Sequence, residues 1–277
     1  MRIGHIDFLN CLPLTYSFNK DNNKDFLLYK DVPSKLNEAI IHGDLDISPV
    51  SSIIYARNWQ DFIILPKASI TTDDEVQSII LVSKKPIEEI TTDKILLTTK
   101  SATSHCLLKI IMNKSYKATP NYEIRTLALD DIIPDEDATA SLFIGDDALY
   151  LKHHQKENLY YYDLGHEWHK LTRTCMVFAV WIVNRNFAKE NMQATSKMQR
   201  YLVNGFKHGF NNLYKAIDTL CQDKPFTRKQ LYEYLHVIKW DLEDRHLKAL
   251  KLFYQYAYEL QLIDELPQID IFYAKNK

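Results

Sequence analysis

Paired cysteines, an excess of one charge and a long apolar run are all missing from this chain, and each absence removes a class of protein. The four cysteines, Cys11, Cys106, Cys175 and Cys221, are scattered and form no C-x-x-C pair. His153-His154 is an isolated doublet, and no histidine cluster has zinc-ligand spacing, so neither a metal nor a cofactor is expected. Four lone thiols suit a reducing compartment. Lys and Arg total 34 against 36 Asp and Glu, a net charge of −2, which leaves no general affinity for nucleic acid or an anionic membrane surface. No stretch approaches the roughly 18–20 apolar residues of a membrane span. Met1-Arg2 leads directly into Ile3-Gly4-His5-Ile6 with no secretory pattern, so a cytoplasmic location is expected. There is no repeat of about 20–50 residues and no low-complexity tract.

What is present is apolar material and a rhythm. Hydrophobic residues make up 46% of 277, enough for two cores of roughly 100–150 residues each. "RIGHIDFLN" reads as a strand, and "VPSKLNEAIIHGDLDISPVS" as helix, glycine turn and strand, with Pro33 at the first helical position. "SIIYARNW" continues as helix and "FIILPKASI" as strand. After the strongly β-type "VQSIILVSKK" the rhythm restarts: "KILLTTK" strand, "SATSHCLLKIIMNK" helix, "YEIRTLA" strand, "ASLFIGDDALYL" strand into helix. A turn-rich "YYDLGHEWHKL" precedes a second β-type run, "RTCMVFAVWIVN", and from Phe187 onward the pattern is helical. Two α/β blocks between two β-rich runs predict two lobes joined by two crossing strands, with a helical C-terminal segment. The expected division is 1–84 with 178–277 in lobe one, and 85–177 in lobe two. Such lobes close on a small molecule in the cleft between them.

Ligand contacts in that architecture come from strand-to-helix junctions facing the cleft. The candidates are Asn10 and Cys11 in "HIDFLNCLPL", Ser48 and Ser51 in "ISPVSS", Ser78 on the first crossing strand, Ser101, Thr103 and Ser104 in "KSATSHCLL", Gly145 and Asp146 in "FIGDDAL", and Thr174 near the second crossing. Three hydroxyls at the opening of a helix favour an anion, through free N–H groups and the positive end of the helix dipole. Plain capping is the simpler account of the same residues, and the two are compatible. Gly145 allows close backbone approach. Asp146 accepts from a substrate hydroxyl or caps a turn. Asn10 serves as turn former or hydrogen-bond donor. Cys11 has no histidine partner in sequence, which argues for packing rather than nucleophilic chemistry. Phe253, Tyr254 and Tyr258 in the last helix are expected in the core.

Taken in order, "FLNCLPL", "PSKLNEAIIHGDLDISPVSSIIYA", "EVQSIILVSKKP", "SATSHCLLKII", "FIGDDALY", "DLGHEWHKLTRTCMVFAVW" and "IKWDLEDRHLKALKLFYQYAYELQLI" resemble the chorismate dehydratase family of the futalosine route to menaquinone. The resemblance covers nearly the whole chain. It implies an α/β fold of the two-lobed, type II periplasmic-binding-protein-like kind, working in the cytoplasm. The implied activity is a hydro-lyase that takes chorismate, a small-molecule substrate, to 3-[(1-carboxyvinyl)oxy]benzoate and water. Asn10 and Ser78 match residues that look catalytic in the family. Two stretches depart from its usual pattern: Asp74 stands where a glycine is usual, and Thr172-Arg173-Thr174-Cys175-Met176 replaces T-G-L-P-F. Two other readings share the fold: a non-catalytic binding or sensor protein for a small anion, and the sister enzyme that makes 1,4-dihydroxy-6-naphthoate.

Overall fold

A computed structural model describes residues 1–20 and 25–273. The chain begins with β1 (Arg2–Ile6), α1 (Leu12–Lys20), β2 (Leu27–Asp31), α2 (Pro33–Ile41), β3 (Ile47–Ser51), α3 (Ser52–Arg57) and β4 (Phe62–Thr72). It crosses to β5 (Ile79–Ser83), β6 (Lys94–Thr98), α4 (Thr103–Tyr116), β7 (Asn121–Arg125), β8 (Ala138–Ile144), α5 (Gly145–His153), β9 (Tyr160–Asp163) and α6 (Leu164–Thr172). It returns through β10 (Met176–Asn184) and ends in α7 (Arg185–Glu190), α8 (Met192–Asn211), α9 (Leu213–Leu220), α10 (Arg228–Val237) and α11 (Asp244–Glu259).

Two five-stranded sheets result, ordered β2-β1-β3-β10-β4 and β7-β6-β8-β5-β9. The pairings repeat one plan. In each sheet four strands run one way and one runs against them: β10 between β3 and β4, and β5 between β8 and β9. The antiparallel strand is in each case the one that follows a crossing. Its sequence explains its place. β10 reads MVFAVWIVN and is buried along eight of its nine residues, the continuous apolar run of a strand covered on both faces. The outer strands β2 and β7 are largely exposed.

The crossings are residues 73–78 and 173–175. Each contains a non-glycine residue in the left-handed region, Gln77 at φ 63° and Arg173 at φ 58°. Asp163 fixes the first. Its carboxylate accepts the N–H groups of Val76 (2.9 Å) and Gln77 (2.6 Å), and also those of Gly165 (2.9 Å) and His166 (3.1 Å) at the start of α6. Against the boundary expected at residue 84, β5 already pairs in the second sheet, so the chain has crossed before Ile79. No turn residue marks the change within "VQSIILVSKK", because crossing segment and strand form one β-type run. The stretch expected to be turn-rich, "YYDLGHEWHKL", forms β9 and α6; Asp163 caps that helix, and Leu164 and Trp168 bury one face of it.

The helical tail builds on the first sheet and reaches behind the cleft. α8 lies so close to α1 that a Cβ added at Gly209 would stand 1.8 Å from the Pro13 carbonyl oxygen. α10 opens with a capping box of Thr227 and Gln230. Phe253 and Tyr254 of α11 are buried as expected, whereas Tyr258 is 44% exposed. Among the described residues no helix is long and apolar enough to cross a membrane.

Candidate functional site

The parallel strands β1, β3, β6 and β8 end at one cleft between the sheets, and the chain turns into a helix after each of them. The empty space at the cleft is ≈ 540 Å³, part of it open to solvent. Ile6, Phe8, Ile70, Val76, Ile79, Ile144 and Phe178 form apolar walls, and Asn10, Ser51, Ser78, Ser101, Thr103, Ser104 and Gly145 supply the polar groups. No charged side chain lines it among the described residues. An anion held there would be met by hydroxyls, an amide and helix N-termini rather than by lysine or arginine.

Each polar residue is placed by its local fold. Asn10 sits in a 3-10 turn, Leu9–Cys11, directly after β1. Its carbonyl accepts the Trp240 indole N–H at 2.8 Å, and its buried Oδ1 has no partner among the described residues. α4 begins after Ala102, which supplies no side-chain cap, and Ser101 Oγ reaches the Ser104 N–H only at 3.4 Å. The Thr103 hydroxyl turns instead to the Ile53 N–H (3.2 Å) and the Ser52 hydroxyl (3.2 Å), tying α4 to α3 across the cleft. Ser104 Oγ is buried and has no partner among the described residues. Of the two roles open to these hydroxyls, capping therefore accounts for one long contact, and the opening turn of α4 is left facing the cleft. Ser51 is held by Asn37, whose Oδ1 accepts the Ser51 N–H at 3.1 Å.

Ser78 links the parts. Its carbonyl accepts the Gly145 N–H at 2.8 Å, and its hydroxyl accepts from Tyr234 of α10 at 3.0 Å. Gly145 lies at φ 66°, and a Cβ there would stand 3.0 Å from the Phe8 ring, so both backbone and space require glycine.

Three expected ligand residues lie elsewhere. Ser48 is buried in β3, donates to the Pro49 carbonyl and packs on Gly4, where an added Cβ would stand 2.2 Å from its hydroxyl. Asp146 sits one residue beyond the cleft, accepting the Leu9 N–H at 3.1 Å and pairing with Lys224 at 2.7 Å. Thr174 belongs to the second crossing, bonded to the Thr172 hydroxyl at 3.0 Å and donating to the Cys175 carbonyl at 3.3 Å. The departures at Asp74 and Arg173–Met176 likewise fall outside the lining, in the crossings and, for Met176, at the start of β10; Asp74 pairs with His166 at 2.8 Å. Cys11 is fully buried, and burial, with Asp7 nearby, pushes its thiol well above the ordinary range. It stays protonated and serves packing. Sequence reasoning missed Phe8, Tyr234, Trp240 and Asp163. The contacts of Tyr234 and Trp240 join residues more than 150 positions apart, which no local pattern announces.

One trio has metal-ligand composition: atoms of Asp73, Cys175 and His246 lie within 4.8 Å of one another at the crossings. His246 Nδ1 accepts the Glu243 N–H at 2.9 Å, so the neutral ring carries its hydrogen on Nε2. That buried Nε2 presents a donor instead of a lone pair, and Asp73 is already paired with Arg245. The trio therefore fits a hinge contact better than a metal centre.

Two mixed sheets with exchanged strands around an uncharged, helix-capped cleft define a two-lobed binding-protein architecture of the periplasmic-binding-protein-like kind. Solved structures share it. A protein of Archaeoglobus fulgidus superposes with a TM-score of 0.78 at 17% identity, covering 95% of this chain and 98% of that one. The periplasmic aliphatic sulphonate binding protein of Escherichia coli gives 0.70 at 12% identity, over 100% and 93%. Within that architecture the chain belongs to the menaquinone biosynthesis family, whose model matches residues 1–259. It is 26% identical over 265 residues to the chorismate dehydratase of Thermus thermophilus, covering 91% of this chain and 93% of the relative.

Proposed function

We propose that this protein is a chorismate dehydratase, a hydro-lyase acting in the cytoplasm on the futalosine route to menaquinone. The observation that carries the reading is a cleft with no charged side chain in which, among the described residues, the buried Ser104 hydroxyl has no partner. Unpartnered buried polar groups cost stability unless a ligand satisfies them. Membership of the menaquinone biosynthesis family and the likeness to a chorismate dehydratase support the reading.

Chorismate carries two carboxylates, a C4 hydroxyl and an enolpyruvyl ether at C3. The C3 hydrogen is vinylogous to the ring carboxylate, so its removal gives a delocalised dienolate. Hydroxide then leaves C4, and the ring becomes aromatic. The C3 proton and the C4 hydroxide together make the water released. The protein's tasks are to bind two anions, stabilise the dienolate and assist the departing hydroxide. Ser101, Ser104 and the opening turn of α4 suit one carboxylate. The Asn10 amide suits developing charge, and the Ser78 hydroxyl suits the leaving oxygen. The lining offers no carboxylate, imidazole or amine as base, so a carboxylate of the substrate itself takes the C3 proton. The apolar walls exclude water from the dienolate.

The test is incubation with chorismate, followed by ultraviolet spectra and mass spectrometry. A product lighter by one water with an aromatic absorption supports the reading. Chorismate recovered intact, though bound, would support the non-catalytic anion-binding alternative instead.

A further inference from the structure

Behind the cleft, one tyrosine reaches the proposed leaving-group residue. Tyr234 is 1% exposed, and its hydroxyl donates to Ser78 Oγ at 3.0 Å; among the described residues it has no other hydrogen-bond partner. Ser78 is 3% exposed, and among the described residues its own hydroxyl hydrogen has one protein acceptor in reach, the Val76 carbonyl at 3.4 Å, near the limit for such a bond. With one lone pair of Ser78 occupied by Tyr234, that hydrogen is available to an oxygen in the cleft.

We infer that Tyr234 is a positioning residue for the elimination: it orients and polarises the Ser78 hydroxyl toward the oxygen leaving C4, without touching the substrate. This rests on the dehydratase reading. Chained hydroxyl groups polarise one another, so a serine that accepts from a tyrosine is a stronger donor. The effect grows as charge develops on the departing oxygen, which makes it larger in the transition state than in the ground state. No net proton passes along the chain. Burial pushes the Tyr234 hydroxyl far above its ordinary value, so the phenol keeps its hydrogen throughout. The atoms balance within the substrate: the C3–H bond breaks to a substrate carboxylate, the C4–O bond breaks, and proton and hydroxide leave as water.

The position of α10 fits the role. The first crossing carries Ser78, β8 leads into Gly145, whose N–H holds the Ser78 carbonyl, and the tail brings Tyr234 against the hydroxyl. Backbone and side chain of Ser78 are thus fixed from two directions. That is the support a donor needs if it is to be aimed before the charge appears.

The experiment is a double-mutant cycle on chorismate turnover with Tyr234→Phe, Ser78→Ala and the pair. Tyr234→Phe keeps the ring and removes the hydroxyl. It is expected to lower kcat about tenfold while KM stays within about twofold, the pattern of an interaction made in the transition state. In the Ser78→Ala background the same change is expected to have no further effect, since its target is gone. Equal melting temperatures of parent and Tyr234→Phe exclude a folding explanation. Full kcat in Tyr234→Phe, or the same tenfold loss in both backgrounds, would overturn the assignment while leaving the dehydratase reading intact. A parent protein that does not consume chorismate overturns that reading and this inference with it.

Discussion

Asp146, at the start of α5 in the second sheet's lobe, accepts the backbone N–H of Leu9 in the first at 3.1 Å, while its other oxygen pairs with Lys224 at 2.7 Å. One carboxylate therefore joins three separate segments of chain beside the mouth of the cleft. Burial lowers the Lys224 pKa, but the Asp146 bond and charge outweigh it and raise the lysine overall. The contact bridges the two lobes beside the cleft lining, which suits a latch that holds them together. Asp146→Ala is expected to raise KM for chorismate about fivefold to tenfold with a small change in melting temperature, because a half-exposed pair and one N–H contact each contribute about 1 kcal/mol or less. Small-angle scattering should show a larger radius of gyration for the variant without ligand. An unchanged KM and radius would remove the latch role.

Asn10 tests the charge logic of the site. A neutral amide donates to an oxyanion and adds no charge beside a dianionic substrate. Asn10→Asp places a carboxylate there, and like charges at close range in a poorly solvated cleft cost several kcal/mol. That corresponds to a loss of turnover of roughly 100-fold or more. Circular dichroism should show an intact fold. Turnover at the parent rate would mean that Asn10 does not face developing charge.

Much of this was readable along the chain, and the failures have physical causes. The βα rhythm and the buried β3 and β10 announced themselves as apolar runs between turn signals. The exposed edge strand β2 did not, because its burial comes from one neighbour only. At the site, Asn10, Ser51, Ser78, Ser101, Thr103, Ser104 and Gly145 were legible as polar residues where strands or the first crossing meet the cleft. Ser48 misled because it shares that stretch, yet strand alternation turns it into the sheet against Gly4. Asp146 misled by one residue, since a helix rotates about 100° per position and carries it from the cleft to the interlobe gap. Tyr234 and Trp240 were invisible because only the folded tail brings them behind Ser78 and Asn10.

His105 gives a pH dependence of stability. Its Nε2 lies 2.8 Å from the Thr98 carbonyl, so Nε2 carries the hydrogen, and the ring is largely buried in α4. Burial lowers its pKa, with Lys109 and Arg57 adding to the effect and the Thr98 bond opposing it. The unfolded chain then binds a proton at higher pH than the folded one. Stability is expected to fall as pH drops below about 6.5, and to level off once the folded histidine also titrates. His246 and His153 are shifted the same way and add to the trend. Urea midpoints for parent and His105→Gln at pH 7.5 and 5.5 isolate one contribution: the acid loss should be smaller in the variant. Equal losses would show that His105 titrates alike in both states.

Ser104 separates stability from binding. Its hydroxyl is buried at the opening of α4 with no partner among the described residues. A buried hydroxyl left unsatisfied costs about 1–3 kcal/mol, and removing it returns part of that. Ser104→Ala keeps the helix, since alanine is the best helix former and the cap does not depend on this side chain. The variant is therefore expected to melt at the same temperature as the parent or slightly above it. Binding should move the opposite way. The lost hydroxyl is one of the donors available to a substrate carboxylate, and a hydrogen bond to a charged group contributes about 1.5–3 kcal/mol. That predicts a roughly tenfold or greater rise in the dissociation constant for chorismate. Differential scanning calorimetry and titration calorimetry on the same preparation read both signs. A variant that is destabilised and binds normally would place the Ser104 hydroxyl in the packing of α4 and take it out of the ligand site.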